Sequence, residues 1–280
     1  MKHFAGFTFA VAAAVVCFSQ SQASAQSKKP PQVPIAGSHV RTLHSKDTGR
    51  TYDIYIRPAN PDSVKDGKVV PVLYGMDGQW DFKLYEAAFG GLKYDKFVPD
   101  MVIVGITYSG ENPDYGKLRE MDLTPVPLDL PGQGDSAKFL SFLKKDVFPM
   151  IEKNYGADPS NRVLSGSSLG GLFTLWTLFT EPDLFRGYIA SSPYVPYADN
   201  YVFKQEAKFF EKRKDLAKRL YITVGSEEDL EQPVLDIIKV IKQRSYKGLT
   251  FESRVIEGEG HASNKPESYN RGLRFIFSNQ

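Results

Sequence analysis

The segment Gly166-Ser167-Ser168-Leu169-Gly170-Gly171 constrains this chain more than any other. It lies between a short apolar run, Arg162 to Leu164, and a longer one, Leu169 to Phe179. G-x-S-x-G in that setting predicts a strand, a very tight turn and a helix. The central serine is held there in a strained conformation, and glycines on either side spare it a clash. Ser168 is therefore the candidate nucleophile. A Gly/Ser turn without chemistry is the plain alternative, and the apolar runs before and after the turn argue against it.

The surrounding pattern alternates strands and helices. Arg41 to Ser45 and Thr51 to Arg57 flank the turn signal Asp47-Thr48-Gly49-Arg50 and predict a hairpin. Val69 to Leu73, Met101 to Ile106, Gly187 to Ala190, Leu220 to Val224 and Phe251 to Ile256 are short apolar runs that suit strands of a parallel sheet. Helices are expected after Asp135, which can cap a segment ending near Gly156, and over Lys204 to Arg219, Val234 to Arg244 and Tyr269 to Phe277. Ser109 to Gly134 has little regular pattern, and a loop of that length suits a functional rim or lid. The fold class read from this alternation is α/β, a single domain with a mainly parallel central sheet flanked by helices.

A serine hydroxyl needs an imidazole to take its proton and an acid to hold that imidazole. In the α/β-hydrolase order, serine comes first, then acid, then histidine. Outside the N-terminal leader the histidines are His39, His44 and His261, and only His261 lies beyond Ser168. The acid belongs after the strand Leu220 to Val224, where the chain reads Gly225-Ser226-Glu227-Glu228-Asp229. Glu228, three residues after the glycine, is the first choice and Asp229 the second. The developing oxyanion calls for two backbone donors. Leu169 N–H, at the start of the nucleophile helix, is one. Gln79 N–H, in the loop Tyr74-Gly75-Met76-Asp77-Gly78-Gln79-Trp80, is the other.

Residues 1–25 have a Lys/His n-region, an apolar stretch and the small-residue site Ala23-Ser24-Ala25, which together read as a cleavable signal peptide. The apolar stretch, about fifteen residues, is short of the roughly twenty that span a bilayer. Lipidation at Cys17 is disfavoured by the bulky Val16 before it. Residues 26–38 read as a flexible leader and residues 39–280 as the catalytic domain. Cleavage removes the single cysteine, so the exported chain, periplasmic or secreted, has no disulfide to form. The net charge of +2 argues against nucleic acid as a partner. No H-x-x-x-H or cysteine cluster suggests a metal, and no cofactor is expected. No other segment is apolar enough for integral membrane association.

At the level of motifs the chain resembles the secreted esterases named "Putative esterase" within the α/β-hydrolase superfamily, the group with siderophore (enterobactin) esterases and esterase D-like enzymes. The resemblance rests on Pro71 to Gly78, on Arg119-Glu120-Met121-Asp122-Leu123-Thr124-Pro125 as R-x-x-D-x-T-P, on Gly166 to Phe173, and on Gly260-His261-Ala262-Ser263 with Gly272 to Phe275. It implies hydrolysis of a small-molecule carboxylic ester through an acyl-enzyme on Ser168, with trilactone siderophores as one substrate class. Feruloyl or acetyl-sugar esters, acyl transfer on the same fold, and a catalytically silent binding protein are the competing readings. Two positions depart from the family pattern. Ser167 stands where many relatives have histidine, and Pro196-Tyr197 stands where many have a Trp pair.

Arg119 could hold an anionic or catecholic part of a substrate, or could tie the long loop down through Asp122 or a carbonyl. Trp80, Tyr108, Tyr115 and Tyr194 follow strand ends, where ligands of α/β folds bind. Trp80, Arg119 and Tyr194 are the candidate substrate contacts.

Overall fold

The computed structural model describes Met1, residues 33–128 and residues 133–278. The signal peptide read at residues 1–25, after Met1, and the leader over residues 26–32 lie outside the described residues. The chain divides into two units, Met1–Pro34 and Ile35–Gln280, and the second carries the fold described below.

The expected hairpin is present as β1 (His39–His44) and β2 (Thr51–Arg57), antiparallel with His39 opposite Ile56 and His44 opposite Thr51. There follow β3 (Val70–Gly75), α1 (Gly78–Tyr94), β4 (Val102–Tyr108), α2 (Tyr115–Leu123), α3 (Ser136–Phe142) and, after a wide π-type turn, α4 (Phe148–Tyr155). Next come β5 (Ala157–Ser167), α5 (Leu169–Thr180), β6 (Gly187–Ser191), α6 (Tyr197–Lys212), β7 (Arg219–Gly225), α7 (Glu231–Arg244), β8 (Thr250–Ile256) and α8 (Lys265–Phe277). Among the described residues the eight strands form one sheet in the order β1-β2-β4-β3-β5-β6-β7-β8. Strands β3 to β8 run parallel, and β1 and β2 add an antiparallel edge. This is the α/β-hydrolase type of sheet.

The parallel strands are buried on both faces because alternate side chains enter opposite layers. Tyr74, Val104, Leu164, Tyr188 and Ile222 face the larger core, under α3 to α7. Leu73, Ile103, Val163, Ile189 and Tyr221 face the other, under α1 and α8. The latter layer is closed by Phe82, Tyr85, Phe89 and Leu92 of α1 against Tyr269, Leu273 and Ile276 of α8.

Three details differ from the sequence reading. Asp135 does precede a helix, but its carboxylate makes no capping bond. It accepts instead from Arg50 at 2.8 Å and pairs with Lys138 at 2.8 Å, since two cations outcompete a backbone amide. The helix expected over Lys204 to Arg219 is α6, which begins earlier and stops at Lys212. Arg213 turns extended, and Leu216 N–H bonds Lys247 O at 2.8 Å, which buries Leu216 by strand-like pairing rather than on a helix stripe. Finally, Ser109 to Gly134 is not patternless, because α2 occupies its middle. Asp114 caps that helix by accepting from Lys117 N–H at 3.0 Å. Ion pairs of Arg119 and Asp122, together with Tyr115, Leu118 and Leu123 against the larger core, hold the helix in place.

Candidate active site

The C-terminal ends of β3, β5, β6, β7 and β8 lie side by side, at the edge where ligands of parallel α/β sheets bind. Each candidate site residue other than Arg119 follows one of these ends. Arg119 comes from α2 and reaches them through its side chain.

Ser168 sits between β5 and α5 with φ 58° and ψ −118°, a conformation that L-residues avoid and that costs about 1–3 kcal/mol. Three backbone bonds hold it there. Its own N–H donates to Ser191 O at 3.0 Å, and its carbonyl accepts from Leu172 N–H at 2.9 Å and Tyr194 N–H at 3.0 Å. The turn closes because Gly166 has no side chain: a Cβ there would lie 2.5 Å from the Gly170 carbonyl. Among the described residues the Ser168 hydroxyl makes no hydrogen bond, to His261 or to any other group. Catalytic contacts are often long before substrate binds.

His261 and Glu228 meet from adjacent loops. The His261 Nδ1–H donates to Glu228 Oε2 at 2.6 Å, with the imidazole 43% exposed and the carboxylate 3%. Asp229, the alternative acid, is exposed, and Glu228 is the carboxylate in contact with the ring. The other oxygen of Glu228, Oε1, accepts from Ser192 Oγ at 2.5 Å and from Gly225 N–H at 2.6 Å. Burial works to raise the Glu228 pKa, but the bonds from His261, Ser192 and Gly225 outweigh it and hold the carboxyl below its ordinary range. The group is thus an anion aimed at the imidazole. The two loops are stitched together by Glu227 N–H on Glu259 O at 3.0 Å and Gly258 N–H on Ser226 Oγ at 2.8 Å. Gly225 allows this approach, since a Cβ there would come within 2.1 Å of Glu259 O.

The amides of Gln79 and Leu169 both lie in the first turn of a helix, α1 and α5, where no carbonyl one turn back is available to accept them. Helix dipoles add positive potential at both. The two turns touch, with Gly170 packed on Met76 and on the Asp77 carboxylate. Asp77 itself adopts φ 55° just before α1 and is fixed by Arg119, whose Nε and Nη2 donate to its two oxygens at 2.9 and 2.6 Å. Arg119 also reaches Ser167 O at 3.4 Å. Of the two roles open to Arg119, these contacts match the loop tie, with Asp77 rather than Asp122 as its partner. Asp122 instead binds Arg50 and accepts from Tyr52 Oη at 2.7 Å.

Trp80 and Tyr194 remain 44% and 39% exposed beside this edge, whereas Tyr108 is buried. Trp80 packs edge-on against Tyr115 at 5.9 Å, and the Arg119 guanidinium lies 5.7 Å from its ring. Tyr197, at a departure from the family pattern, is buried and donates its hydroxyl to Val126 O at 2.7 Å. His39 and His44, set aside by chain order, bond Tyr155 and Thr51 at the far hairpin.

The sequence reading omitted α1 and Asn264. The helix was legible in Phe82, Tyr85, Phe89 and Leu92, which recur at three- and four-residue spacing. Asn264 carried no such signal, because Ser191, Ser192 and Glu228 among its partners are distant in sequence.

Residues 45–267 match the family described as "Putative esterase". The ferri-bacillibactin esterase BesA of Bacillus subtilis is 31% identical over 263 residues, covering 86% of this chain and 90% of that protein. A siderophore triacetylfusarinine C esterase of Aspergillus fumigatus is 31% identical over 209 residues, 71% of each chain. Among solved structures, the BES protein from Bacillus cereus superposes with a TM-score of 0.79 at 30% identity, covering 89% of this chain and 98% of that one.

Proposed function

The chain belongs to the "Putative esterase" family and is a hydrolase of carboxylic esters, and from that premise we propose that it opens the ester bonds of a siderophore through an acyl-enzyme on Ser168. The observation that carries the catalytic part is the 2.6 Å bond between His261 and Glu228, with Glu228 also bonded to Ser192, the neighbour of the Ser191 that holds Ser168 at φ 58°. In this reading Ser168 Oγ attacks the ester carbonyl while His261 Nε2 takes its proton. Glu228 keeps the proton of Nδ1 in place and stabilises the imidazolium that forms. The amides of Leu169 and Gln79 receive the oxyanion. His261 then returns the proton to the leaving alcohol, and water, activated by the same imidazole, cleaves the acyl-enzyme.

Siderophore esters are favoured over other esters by the two relatives named above. The Tyr194 backbone is bonded to Ser168 and Trp80 follows Gln79, and both side chains are partly exposed, so these two rings are the candidate contacts for an aromatic part of the substrate. Export with cleavage after Ala25 belongs to the same proposal and rests on the charged start, the apolar stretch and Ala23-Ser24-Ala25.

The test is to incubate purified protein with iron-free and ferric trilactone siderophores and to follow linear products by mass spectrometry. Ring opening at rates well above those for feruloyl and acetyl-sugar esters is the expected result. Intact trilactone beside rapid turnover of feruloyl esters would reject the substrate and retain the enzyme. N-terminal sequencing of exported protein is expected to begin at Gln26.

A further inference from the structure

Asn264 stands just before α8, three residues after His261, and is fully buried. Its side-chain amide faces four oxygens on one side and one hydroxyl on the other. The Nδ2 group lies 2.9 Å from Ser192 Oγ, 3.3 Å from Glu228 Oε1, 2.7 Å from Gly260 O and 3.1 Å from His261 O. On the opposite side Oδ1 accepts from Ser191 Oγ at 2.8 Å. This set fixes the amide orientation, since the reverse would aim a carbonyl oxygen at four acceptors.

The partners of Asn264 touch the nucleophile turn, the acid and the histidine loop of the proposed machinery. Ser191 O receives the N–H of Ser168, Ser192 Oγ donates to Glu228, and Gly260 and His261 form the histidine loop. We infer that Asn264 is a positioning residue that sets the Glu228 carboxylate and the His261 loop in one frame with the nucleophile turn. It touches no reacting atom and acts through the residues that do. The inference rests on the reading of Ser168, His261 and Glu228 given above.

A covalent brace could have served, but the chain has no cysteine in this region. A hydrogen-bonded amide is a neutral brace, and neutrality matters beside Glu228. Of the charged groups on the surrounding elements, Glu227, Asp229 and Glu257 are exposed, Glu259 and Glu267 are half-buried, and Lys265 is paired with Asp81. The amide contacts none of these, and the charged side chain it does contact is Glu228.

The test uses Asn264→Asp, which keeps the shape, removes the donors and adds a carboxylate next to Glu228. Hydrolysis of p-nitrophenyl acetate is measured per active site, counted by fluorophosphonate labelling, alongside thermal melting. The expected result is a fall in kcat of about a hundredfold, the scale of a small misplacement of catalytic groups. KM for this small neutral ester is expected to stay within about twofold of the parent. The acid limb of kcat/KM is expected to move to higher pH. Asn264→Ser, uncharged and smaller, covers the case in which the first variant fails to fold, and is expected to lower kcat with its acid limb at the parent pH. Parent kcat per active site and parent pH limbs in the folded variants, with a lowered Tm alone, would overturn the inference. Ser168→Ala is assayed in parallel. If it keeps the parent turnover, the catalytic reading itself fails, an outcome distinct from failure of the role given to Asn264.

Discussion

Arg119 and Asp77 form a two-point ion pair, at 2.9 and 2.6 Å, that joins α2 to the residue immediately before α1. Asp77 is 3% exposed at its side chain and Arg119 15%, so both charges are largely out of water. The pair thus holds the turn that presents the Gln79 amide, and the third contact of Arg119, on Ser167 O, draws it towards the nucleophile strand.

Removing one member of a buried pair leaves the other uncompensated. Arg119→Met is therefore expected to cost about 3–5 kcal/mol, read by urea denaturation. It is also expected to lower kcat, because the Gln79 turn loses its anchor. A stability loss with kcat unchanged would show that the pair braces the fold and not the oxyanion turn. Gln79→Ala, by contrast, keeps the amide and is expected to leave kcat near its parent value.

Glu228 supplies a pH prediction. Its carboxyl is depressed in the folded chain because the donors around it outweigh burial. A depressed carboxyl contributes stability that is complete above its unfolded value, about 4.3, and is lost as pH falls through the lower folded value. The stability gap between the parent and Glu228→Gln, measured by denaturation across acidic pH, is expected to hold near neutrality and to close below about pH 4. A gap that widens on acidification would contradict this.

Lys265 and Tyr269 of α8 reach across to Asp81 of α1, at 2.9 and 2.5 Å. Burial raises the Asp81 pKa more than its two partners lower it. Lys265→Met leaves that carboxylate unpaired and is expected to cost about 3–5 kcal/mol at neutral pH. Asp81→Asn is expected to cost less, since Lys265 is 17% exposed and can turn to water. A carboxyl raised on folding destabilises the fold while ionised and is relieved as pH falls through its folded value. The difference between the two variants is therefore expected to shrink on acidification, and equal costs at every pH would argue against a charged Asp81.

Gly225→Ala tests the joint between the acid and histidine loops. The new Cβ would meet Glu259 O, so the loops must part, at about 1–3 kcal/mol of overpacking. Activity is expected to fall by about a hundredfold, the effect of roughly 1 Å of misplacement between acid and base. Parent-like activity would mean that the contact between the two loops is dispensable.

How much of this was legible in sequence depended on the range of the interaction. The nucleophile turn is local: glycine spacing and the apolar runs around Ser168 specify it, and the structure has the serine at positive φ. Chain order singled out His261 as the candidate base, and the structure brings its ring to Glu228. Glu228 and Asp229 are neighbours with the same chemistry, and they separate only through Ser192 and Gly225, whose placement requires β6 and β7 to be side by side. The role of Arg119 could not be read from R-x-x-D-x-T-P, because its partner Asp77 is 42 residues away and its nearby acid, Asp122, is taken by Arg50. Helix α2 was hidden for the same reason. Its weak apolar pattern gives little periodic signal, and the ion pairs of Arg119 and Asp122 that help to hold it reach residues far away in sequence.

The central claim is that Ser168 carries the acyl group. The most direct measurement is to react the protein with a fluorophosphonate, digest it and locate the adduct by mass spectrometry while p-nitrophenyl ester turnover is followed. A single adduct on the peptide containing Ser168, with turnover falling in proportion, is the expected result, together with loss of both in Ser168→Ala. An adduct on another residue, or undiminished turnover in Ser168→Ala, would contradict the account.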